Sequence, residues 1–476
     1  MKTKTRWESP RILRLACLLV LAGWPEDRAS AAAWYLDSAA TGAGDGTSWR
    51  DAWTTPAAVQ GLAPGDTVYI SGGASGQSQS YPMGQEWSRI RGGTPEARIT
   101  YRIGRDTAHS GTAVFLCTTG HRTWIPPVSN VAIIGDAGDG RRHFQLVGWA
   151  AVILGSEQSN VRVAYLSADG LDLVGDFNPA TGIEIDHCWF RIADLTADHA
   201  TYAQINGTTW DDSRFHHNTL YLPNVGDGAG SDGLQWNGCG FSIYDNTVIG
   251  YLARYSGGQH QDGWQGTGNS SYIKIYNNRF QDMANYSVFA DAYHGGFSHL
   301  WIFNNVITLT SAGIQKSDPP QGIAIGPDGD AFKNLGHWPA FTDIVVCNNV
   351  IADYGNHLAI ALQNNPGQAS IFTACIVADN ADVNSNGIGI DPAVARAGNI
   401  RLSPAAAGKT FLEYSPLNPG NDFHLSPDAG LLIARGANLS RYADSDKDGV
   451  KRRPLGGWDV GAYARGGAGP APIKNP

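Results

Sequence analysis

The chain has 476 residues, with 34 Lys and Arg against 43 Asp and Glu, 59 glycines and only 16% charged residues. A hydrophobic content of 42% excludes a mainly disordered chain. A formal net charge of −9 without a basic run excludes nucleic acid and anionic membranes as the main partner.

The first residues have the pattern of a signal peptide. Arg11 and Arg14 precede an apolar run from Leu15 to Gly23, and the small residues Ala29-Ser30-Ala31 fit a cleavage site. The run is too short to cross a bilayer, and no later segment approaches the roughly 20 apolar residues that a membrane span needs. We therefore predict a signal peptide over residues 1–31, a secreted or periplasmic mature protein and no membrane span.

A repeated eight-residue pattern follows along the middle of the chain. The six blocks are IEIDHCWF, SRFHHNTL, FSIYDNTV, IKIYNNRF, LWIFNNVI and IVVCNNVI, beginning at residues 183, 213, 241, 273, 300 and 344. Position 3 is apolar or aromatic in all six blocks, and position 1 is apolar or aromatic in five of them. This is the alternation of a strand with one buried face. Position 6 is Asn in five blocks: Asn218, Asn246, Asn278, Asn305 and Asn349.

This spacing predicts an all-β, single-stranded parallel β-helix. Each coil would hold three short strands, and successive coils would stack about 4.8 Å apart. The asparagines would then form a column in which stacked side chains pair amide to carbonyl. The pattern is lost from about Gly387, so we predict a β-helix with its N-terminal cap over residues 32–386 and an irregular C-terminal capping region over 387–476.

Two terminal segments resemble a known family. The stretch WYLDSAATGAGDGTSWRDAWTTPAAVQGLAPGDTVYISGG, from Trp34, resembles the opening of exported bacterial parallel β-helix proteins of the pectate-lyase-like superfamily. The segment YADSDKDGVKRRPLGGWDVGAYA is similar to the tail of the same proteins. The resemblance implies a right-handed β-helix that begins with a strand and a capping helix. It leaves the reaction open, because that superfamily includes lyases, hydrolases, epimerases and adhesins.

Candidate chemistry lies between the asparagine blocks. GSDGLQWNG, HQDGWQGTG and FADAYHGG place Asp232, Asp262 and Asp291 at intervals of about one coil. We expect these three aspartates to stack on one strand, where carboxylates about 5 Å apart repel one another unless a cation, a shared proton or a substrate stabilises them. The predicted catalytic residues are His260, Asp262, Asp291 and His294. The predicted substrate-binding residues are Asp232, Gln235, Trp236, Trp264, Gln265 and Tyr293, with the two tryptophans offering flat faces to sugar rings.

Three functions are compatible with this row. In the first, Asp232 and Asp262 hold Ca²⁺ with Gln265, and a histidine removes a proton from an acidic polysaccharide by β-elimination. This interpretation rests partly on a similarity to the "A-D-G-F" and "D-D-G-W-D" coils of calcium-dependent pectate lyases, although Gln261 and Gln265 stand where those enzymes have Asp. In the second, paired aspartates on neighbouring coils hydrolyse glycosidic bonds. The third is a non-catalytic carbohydrate-binding surface protein.

A second possible metal site lies near the C-terminus. Asp444, Asp446 and Asp448 begin a D-x-D-x-D-G sequence, which Asp459 could complete as a structural calcium site. Leu455 stands where an EF-hand requires Glu, so an EF-hand is excluded. Of the three functions, the sequence favours a monomeric, exported polysaccharide lyase that cleaves an acidic, uronate-containing extracellular polysaccharide by β-elimination.

Overall fold

A computed structural model of the chain describes residues 31–84, 87–119, 123–149, 151–153, 157–169, 172–174, 180–191, 210–222, 232–250, 261–310, 320–327, 335–364, 369, 371–453 and 457–465. The predicted signal peptide lies outside these residues except for Ala31. Strands dominate the described chain, and successive coils pair in parallel. The predicted all-β parallel β-helix is therefore confirmed. No helix in the described ranges is long and apolar enough to cross a membrane.

Successive coils add strands to sheet A, then to sheet B, and then to a third face of the solenoid. In the described ranges, sheet A comprises Ala33–Leu36, Thr67–Ile70, Ile99–Ile103, Val131–Ile134, Ser159–Ala164, Ala180–Asp186, Trp210–Asp211, Arg214–His216, Ser242–Tyr244, Ser270–Tyr276, Phe297–Phe303, Phe341–Thr342, Val345–Cys347, Phe372–Thr373, Ile376–Ala378 and Ala395–Ala397. Sheet B comprises Ser78–Met83, Thr112–Cys117, Phe144–Val147, Leu166–Asp169, Trp189–Arg191, Thr219–Tyr221, Thr247–Ile249, Arg279–Gln281, Val306–Thr308, Val350–Ala352, Ala381–Val383 and Ile400–Leu402.

The strands of the third face belong to two separate sheets, one in the early coils and one in the later coils. Early coils contribute Thr123–Ile125, Ala151–Ile153 and Asp172–Val174. Later coils form sheet C, which comprises Trp264–Gly266, Tyr286–Ala290, Gln321–Ile325, Ile360–Leu362 and Ile388–Ile390. Side chains alternate between the interior and the outer face because successive Cβ atoms of a strand point to opposite sides. Ile183, Ile185 and Phe215 of sheet A are consequently buried in the main apolar core.

The asparagine column lies between sheets A and B. Each Oδ1 accepts the backbone N–H of the equivalent residue one coil earlier, as Asn278 does from Asn246 at 3.1 Å. The same oxygen accepts the Nδ2–H of Asn246 at 3.0 Å, and Nδ2 of Asn278 donates to the carbonyl of Ile243 at 2.9 Å. The column is longer than the five predicted members: it comprises Asn218, Asn246, Asn278, Asn305, Asn349, Asn380 and Asn399.

The residue before each column asparagine makes the corner. His217, Asp245 and Asn277 have φ of 55°, 54° and 57°, in the left-handed region. Asn, Asp and His tolerate this conformation better than other residues with a Cβ. The repeated Asn-Asn pairs therefore have two separate causes, since the first residue turns the chain and the second bonds to the neighbouring coil.

The first strand of the solenoid lies near the predicted start, and its last strands lie beyond residue 386. Ala33–Leu36 pairs in parallel with Thr67–Ile70, and a 3-10 helix of three residues, Pro56–Ala58, lies between them. Parallel pairing continues to Ile400–Leu402, beyond residue 386. The spacing of the earlier repeats does not predict the last one, because Asn380 and Asn399 are only 19 residues apart.

The segment after the last coil packs on the outside of the solenoid. Helix α1, Pro404–Thr410, is followed by the antiparallel pair Phe411–Glu413 and Asp422–Leu425. Leu439, Ala443 and Trp458 cover the outer face of sheet A next to its later strands, in an apolar cluster with Phe303, Val345, Cys347 and Ala378. The outer face of the earlier strands carries the polar side chains of the candidate site.

Candidate functional site

Asp232 and Asp262 occupy matching positions on neighbouring coils, as their spacing predicts. Leu234 pairs in parallel with Trp264, and Asp232 Oδ1 accepts the backbone N–H of Asp262 at 2.8 Å. Asp262 Oδ1 in turn accepts the N–H of Tyr286, also at 2.8 Å. Both aspartate side chains are fully buried. These carboxylates therefore bond one coil to the next, in the manner of the asparagine column.

Asp291 does not belong to this stack, so that part of the prediction is wrong. The position equivalent to Asp262 on the next coil is Tyr286, because Trp264 pairs with Val288. The coil between them is only 24 residues long, shorter than the spacing that the sequence comparison assumed. Asp291 lies five residues farther along.

Asp291 is nevertheless connected to Asp232 through two glutamines. Gln235 Nε2 donates to Asp232 Oδ2 at 2.7 Å and also to Gln265 Oε1. Gln265 Nε2 donates to Asp291 Oδ2 at 3.0 Å. All four side chains are at most 4% exposed. The glutamines thus link two carboxylates across three coils in one buried polar chain.

Hydrogen bonds within the chain already engage most of the oxygens that the sequence predicts to bind calcium. Ca²⁺ takes six to eight oxygen ligands. Both oxygens of Asp232 accept N–H donors, as do Oδ1 of Asp262 and Oε1 of Gln265. These oxygens stabilise neighbouring amides, so we derive no step through calcium at Asp232 and Asp262.

Trp236 and Trp264 lie inside the solenoid, and their prediction as sugar-stacking residues is wrong. Both are fully buried, and Trp236 packs edge-on against Phe241, while Trp264 packs against Phe297. Their period-2 spacing from Asp232 and Asp262 places them on the inward face together with Leu234.

The Trp264→Ala variant is accordingly expected to lose stability rather than sugar affinity. Removing a buried indole costs about 3–5 kcal/mol, because a cavity remains where the ring was packed. Thermal and denaturant unfolding of the variant measure the loss, with Trp264→Phe as the control that retains an aromatic ring. Wild-type stability combined with weaker polysaccharide binding would contradict the interior position.

Tyr293 and His294 are the accessible remainder of the predicted site within the described ranges. Both are half-buried, and their rings meet nearly at right angles with centroids 4.8 Å apart. Burial lowers the pKa of His294 below its usual value. His260 lies outside the described residues. His294 is therefore an accessible imidazole that is neutral at pH 7, next to sheet C.

The predicted calcium loop near the C-terminus is a network of turns and ion pairs. Asp446 Oδ1 accepts the N–H groups of Asp448 and Val450 at 3.0 and 2.8 Å. Asp448 pairs with His424 at 2.7 Å, and Asp444 pairs with Lys451. The three carboxylates point to different partners, so the calcium prediction for Asp444, Asp446 and Asp448 is wrong. Asp459 likewise accepts backbone N–H groups.

A cluster that the sequence reading missed lies on the outer face of sheet A. Glu184, Asp186 and His216 have potential metal-ligand atoms within 4.8 Å of one another, the one such group of three or more found in the described ranges. Parallel pairing of Ala180–Asp186 with Arg214–His216 sets Asp186 directly beside His216. Alternation along the strands directs these side chains outward, since Ile183, Ile185 and Phe215 point inward.

Asp186 is held ionised within this cluster. Burial alone would raise its pKa, but hydrogen bonds from His187 at 2.7 Å and from Arg162 at 2.7 and 3.0 Å outweigh that effect, and the pKa lies below its usual value. Both carboxylate oxygens are thereby engaged. A metal at this cluster would have to displace Arg162, so the arrangement favours proton transfer over metal binding.

Glu184, His216 and His217 form a hydrogen-bonded relay to the surface. His216 Nε2 lies 3.2 Å from Glu184 Oε1, and His216 Nδ1 lies 2.9 Å from His217 Nδ1. Because the carboxylate only accepts, neutral His216 carries its proton on Nε2, and Nδ1 of His217 is the donor to Nδ1 of His216. His217 Nε2 then holds a lone pair, 3.8 Å from Asp245 Oδ2.

The outer end of the relay is accessible and neutral. The side chain of His217 is 45% exposed and that of Glu184 is 25% exposed. Burial lowers the pKa of His217, although the Asp245 carboxylate acts in the opposite direction. The hydrogen bond from His216 lowers the pKa of Glu184 against the effect of burial. A neutral imidazole backed by a carboxylate is the arrangement of a general base.

A groove of about 440 Å³ runs beside the relay. Arg98, Asn160, Glu184, Asp212 and Arg214 are among its lining residues. Arg214 is exposed and forms no ion pair with the part of the chain that the structure describes. The groove therefore presents two arginines together with the carboxylates of Glu184 and Asp212, and it meets the relay at Glu184.

These observations define a parallel β-helix protein with an acid-base cluster on an exposed sheet. No protein-family model matches the sequence, and no curated protein matches it. Solved structures similar to this chain include pectate lyase Pel9A, with 15% identity, coverage of 92% of this chain and 97% of that chain, and a TM-score of 0.41. A rhamnogalacturonan lyase has 11% identity, coverage of 84% and 98%, and a TM-score of 0.44. GH136 lacto-N-biosidase from Eubacterium ramulus has 11% identity, coverage of 78% and 67%, and a TM-score of 0.38. At these values the similarities assign neither a reaction nor a substrate.

Proposed function

We propose that the protein is an exported enzyme that cleaves an acidic extracellular polysaccharide by β-elimination at the outer face of sheet A. The observation that supports the proposal is the Glu184–His216–His217 relay, which ends in an exposed imidazole and shares Glu184 with the groove that Arg98 and Arg214 line. Elimination needs a base and a cation that stabilises the uronate carboxylate, and this face offers both.

The roles follow from the geometry. Arg214 binds the substrate carboxylate and favours loss of the neighbouring C5 proton. His217 Nε2 accepts that proton, the C4–O bond breaks, a C4–C5 double bond forms, and the leaving oxygen takes a proton from solvent. Asp245 stabilises the imidazolium that results, while Glu184 orients His216.

The pH dependence of turnover follows from His217. Because its pKa is lowered, the imidazole is neutral at pH 7 and becomes protonated only below its ordinary value of about 6.5. We expect kcat/KM to fall as the pH decreases, with the half-maximal point below pH 6.5. A pH profile measured with wild type and with His217→Asn tests this prediction. An acidic limb that persists unchanged in the residual activity of the variant would assign the titration to another group.

Hydrolysis is the second candidate, and one observation favours it. Glu184 and Asp186 have carboxylate oxygens within 4.8 Å of each other, close to the separation of about 5–5.5 Å in retaining glycosidases. However, Asp186 is fully buried and already bound to Arg162 and His187. A nucleophile must reach the sugar, so the burial of Asp186 favours elimination.

A polysaccharide panel separates the candidates. The mature protein is incubated with polygalacturonate, alginate and neutral glycans, with added calcium and with a chelator. We expect new reducing ends together with the ultraviolet absorbance of an unsaturated product, on an acidic polymer. Reducing ends without that absorbance would establish hydrolysis. Binding without either product would establish a carbohydrate-binding protein.

A further inference from the structure

A second column of corners lines the edge of sheet A, next to the groove. Asp212, Gly240, Tyr272 and His299 occupy equivalent positions on four successive coils, because Arg214 pairs with Ser242, Ser242 with Lys274, and Lys274 with Trp301. All four have φ in the left-handed region, from 48° to 83°. The side chains of Asp212, Tyr272 and His299 therefore leave the sheet at the same corner, and Tyr272 and His299 stack on each other along the solenoid axis.

Tyr272 has one covered face and one open face. Its ring stacks on His299 with centroids 4.3 Å apart and an angle of 14° between the planes. The preceding coil has Gly240 at the equivalent position, and glycine has no side chain to cover the opposite face. Tyr272 is 57% exposed, whereas most large apolar side chains in the described ranges are buried.

Asp212 closes the other side of the gap above Gly240. Its Oδ1 lies 2.7 Å from the point where a Cβ on Gly240 would stand, so the carboxylate leans over the glycine. Asp212 and Tyr272 are two coils apart, or about 9.6 Å at 4.8 Å per coil. The carboxylate reaches down to the level of Gly240, so the open face of Tyr272 has a hydrogen-bond acceptor beside its edge, about one coil away, and Asp212 also lines the groove.

We propose that Tyr272, Gly240 and Asp212 form a subsite for one sugar ring of the polysaccharide; this inference rests on the proposed function. The apolar C–H face of the ring packs on Tyr272, which removes apolar surface of both from water. Ring hydroxyls donate to the Asp212 carboxylate. The same carboxylate repels the acid group of a uronate, which turns that group towards Arg214, two residues farther along the chain.

Gly240→Asn tests the subsite with little change to the backbone. Asparagine tolerates a positive φ, as Asn130 and Asn160 show at earlier corners of the same column, and its side chain would stand beside the open face of Tyr272. The matched control is Gly355→Asn, because Gly355 also has a positive φ of 59° but nothing within 4 Å of its Cβ position. We expect affinity for polygalacturonate or alginate oligosaccharides to fall about tenfold in Gly240→Asn, from the loss of one ring-stacking contact, and to stay at the wild-type value in Gly355→Asn.

Tyr272→Asn is the second variant, with Leu412→Asn as its control, because Leu412 is equally exposed at 57%. Isothermal titration and thermal unfolding are measured for all four variants, with neutral oligosaccharides as additional probes. Wild-type affinity in both Gly240→Asn and Tyr272→Asn would overturn the subsite while leaving the proposed function intact. Loss of affinity only for neutral oligosaccharides would support the subsite and contradict the acidic substrate. Absence of binding of every probe to the wild type would overturn both proposals.

Discussion

His217→Asn is expected to lower turnover of the acidic polysaccharide by a factor of about 10²–10⁴, the usual contribution of a general base. That loss corresponds to about 2.7–5.4 kcal/mol of transition-state stabilisation. Asparagine cannot accept a proton from the substrate, yet it suits the corner, where φ is 55°. Equivalent corners of this chain already carry asparagine, at Asn277, Asn304 and Asn348. The fold should therefore survive the substitution.

The measurement is kcat/KM by product absorbance, together with thermal unfolding of the same preparation. His337→Asn is the control, since His337 is exposed and distant in sequence from the relay. His294→Asn decides between the two faces of the solenoid. If only His294→Asn loses turnover, catalysis belongs to the edge of sheet C, as the sequence first predicted. A wild-type rate in His217→Asn would remove the relay from the mechanism.

Asn278→Ala is expected to give the largest loss of stability of any single polar substitution proposed for this chain. The alanine leaves the backbone N–H and one side-chain N–H of Asn246 without their acceptor, in a fully buried position. At about 1–3 kcal/mol for each unsatisfied buried group, the free energy of unfolding should fall by about 2–6 kcal/mol. Because a solenoid is stabilised by contacts between neighbouring coils, the loss spreads to both adjacent coils.

Asn399→Ala is the matched control at the end of the column. Asn399 is half-buried and bonds to one neighbouring asparagine, Asn380, whereas Asn278 bonds to two. Denaturant unfolding should therefore show a smaller loss for Asn399→Ala. Equal losses in the two variants would mean that the column does not act through its buried interior bonds.

The repeats made the fold predictable from the sequence. Asn218, Asn246 and Asn278 recur at one position of a strand pattern, and few folds other than a stacked coil give such a column a physical reason. The registers of sheets A and B follow directly, because the corner and the asparagine fix where each strand begins. The register of sheet C did not follow, because Asp262 and Asp291 are separated by turns whose length the sequence does not align.

The site was harder to predict for a related reason. The inward positions define the repeat blocks, and Glu184, Asp186 and His216 lie at outward positions, where the repeat itself carries no signal of chemistry. A comparison of outward positions in consecutive blocks would have placed the carboxylates beside the His-His pair. The prediction of Trp236 as a sugar-stacking residue is wrong because a tryptophan beside an acidic motif has the same sequence pattern whether it points inward or outward.

The corner and the asparagine have a further consequence for how this molecule could vary. From Asp186 onward, the passage from sheet A to sheet B takes two residues on each described coil, while consecutive column asparagines are separated by between 19 and 44 residues. All the variation therefore falls in the other turns. Loops of different lengths can be exchanged in those turns without disturbing the asparagine column. The ligand specificity of the protein could therefore change while the solenoid stays the same.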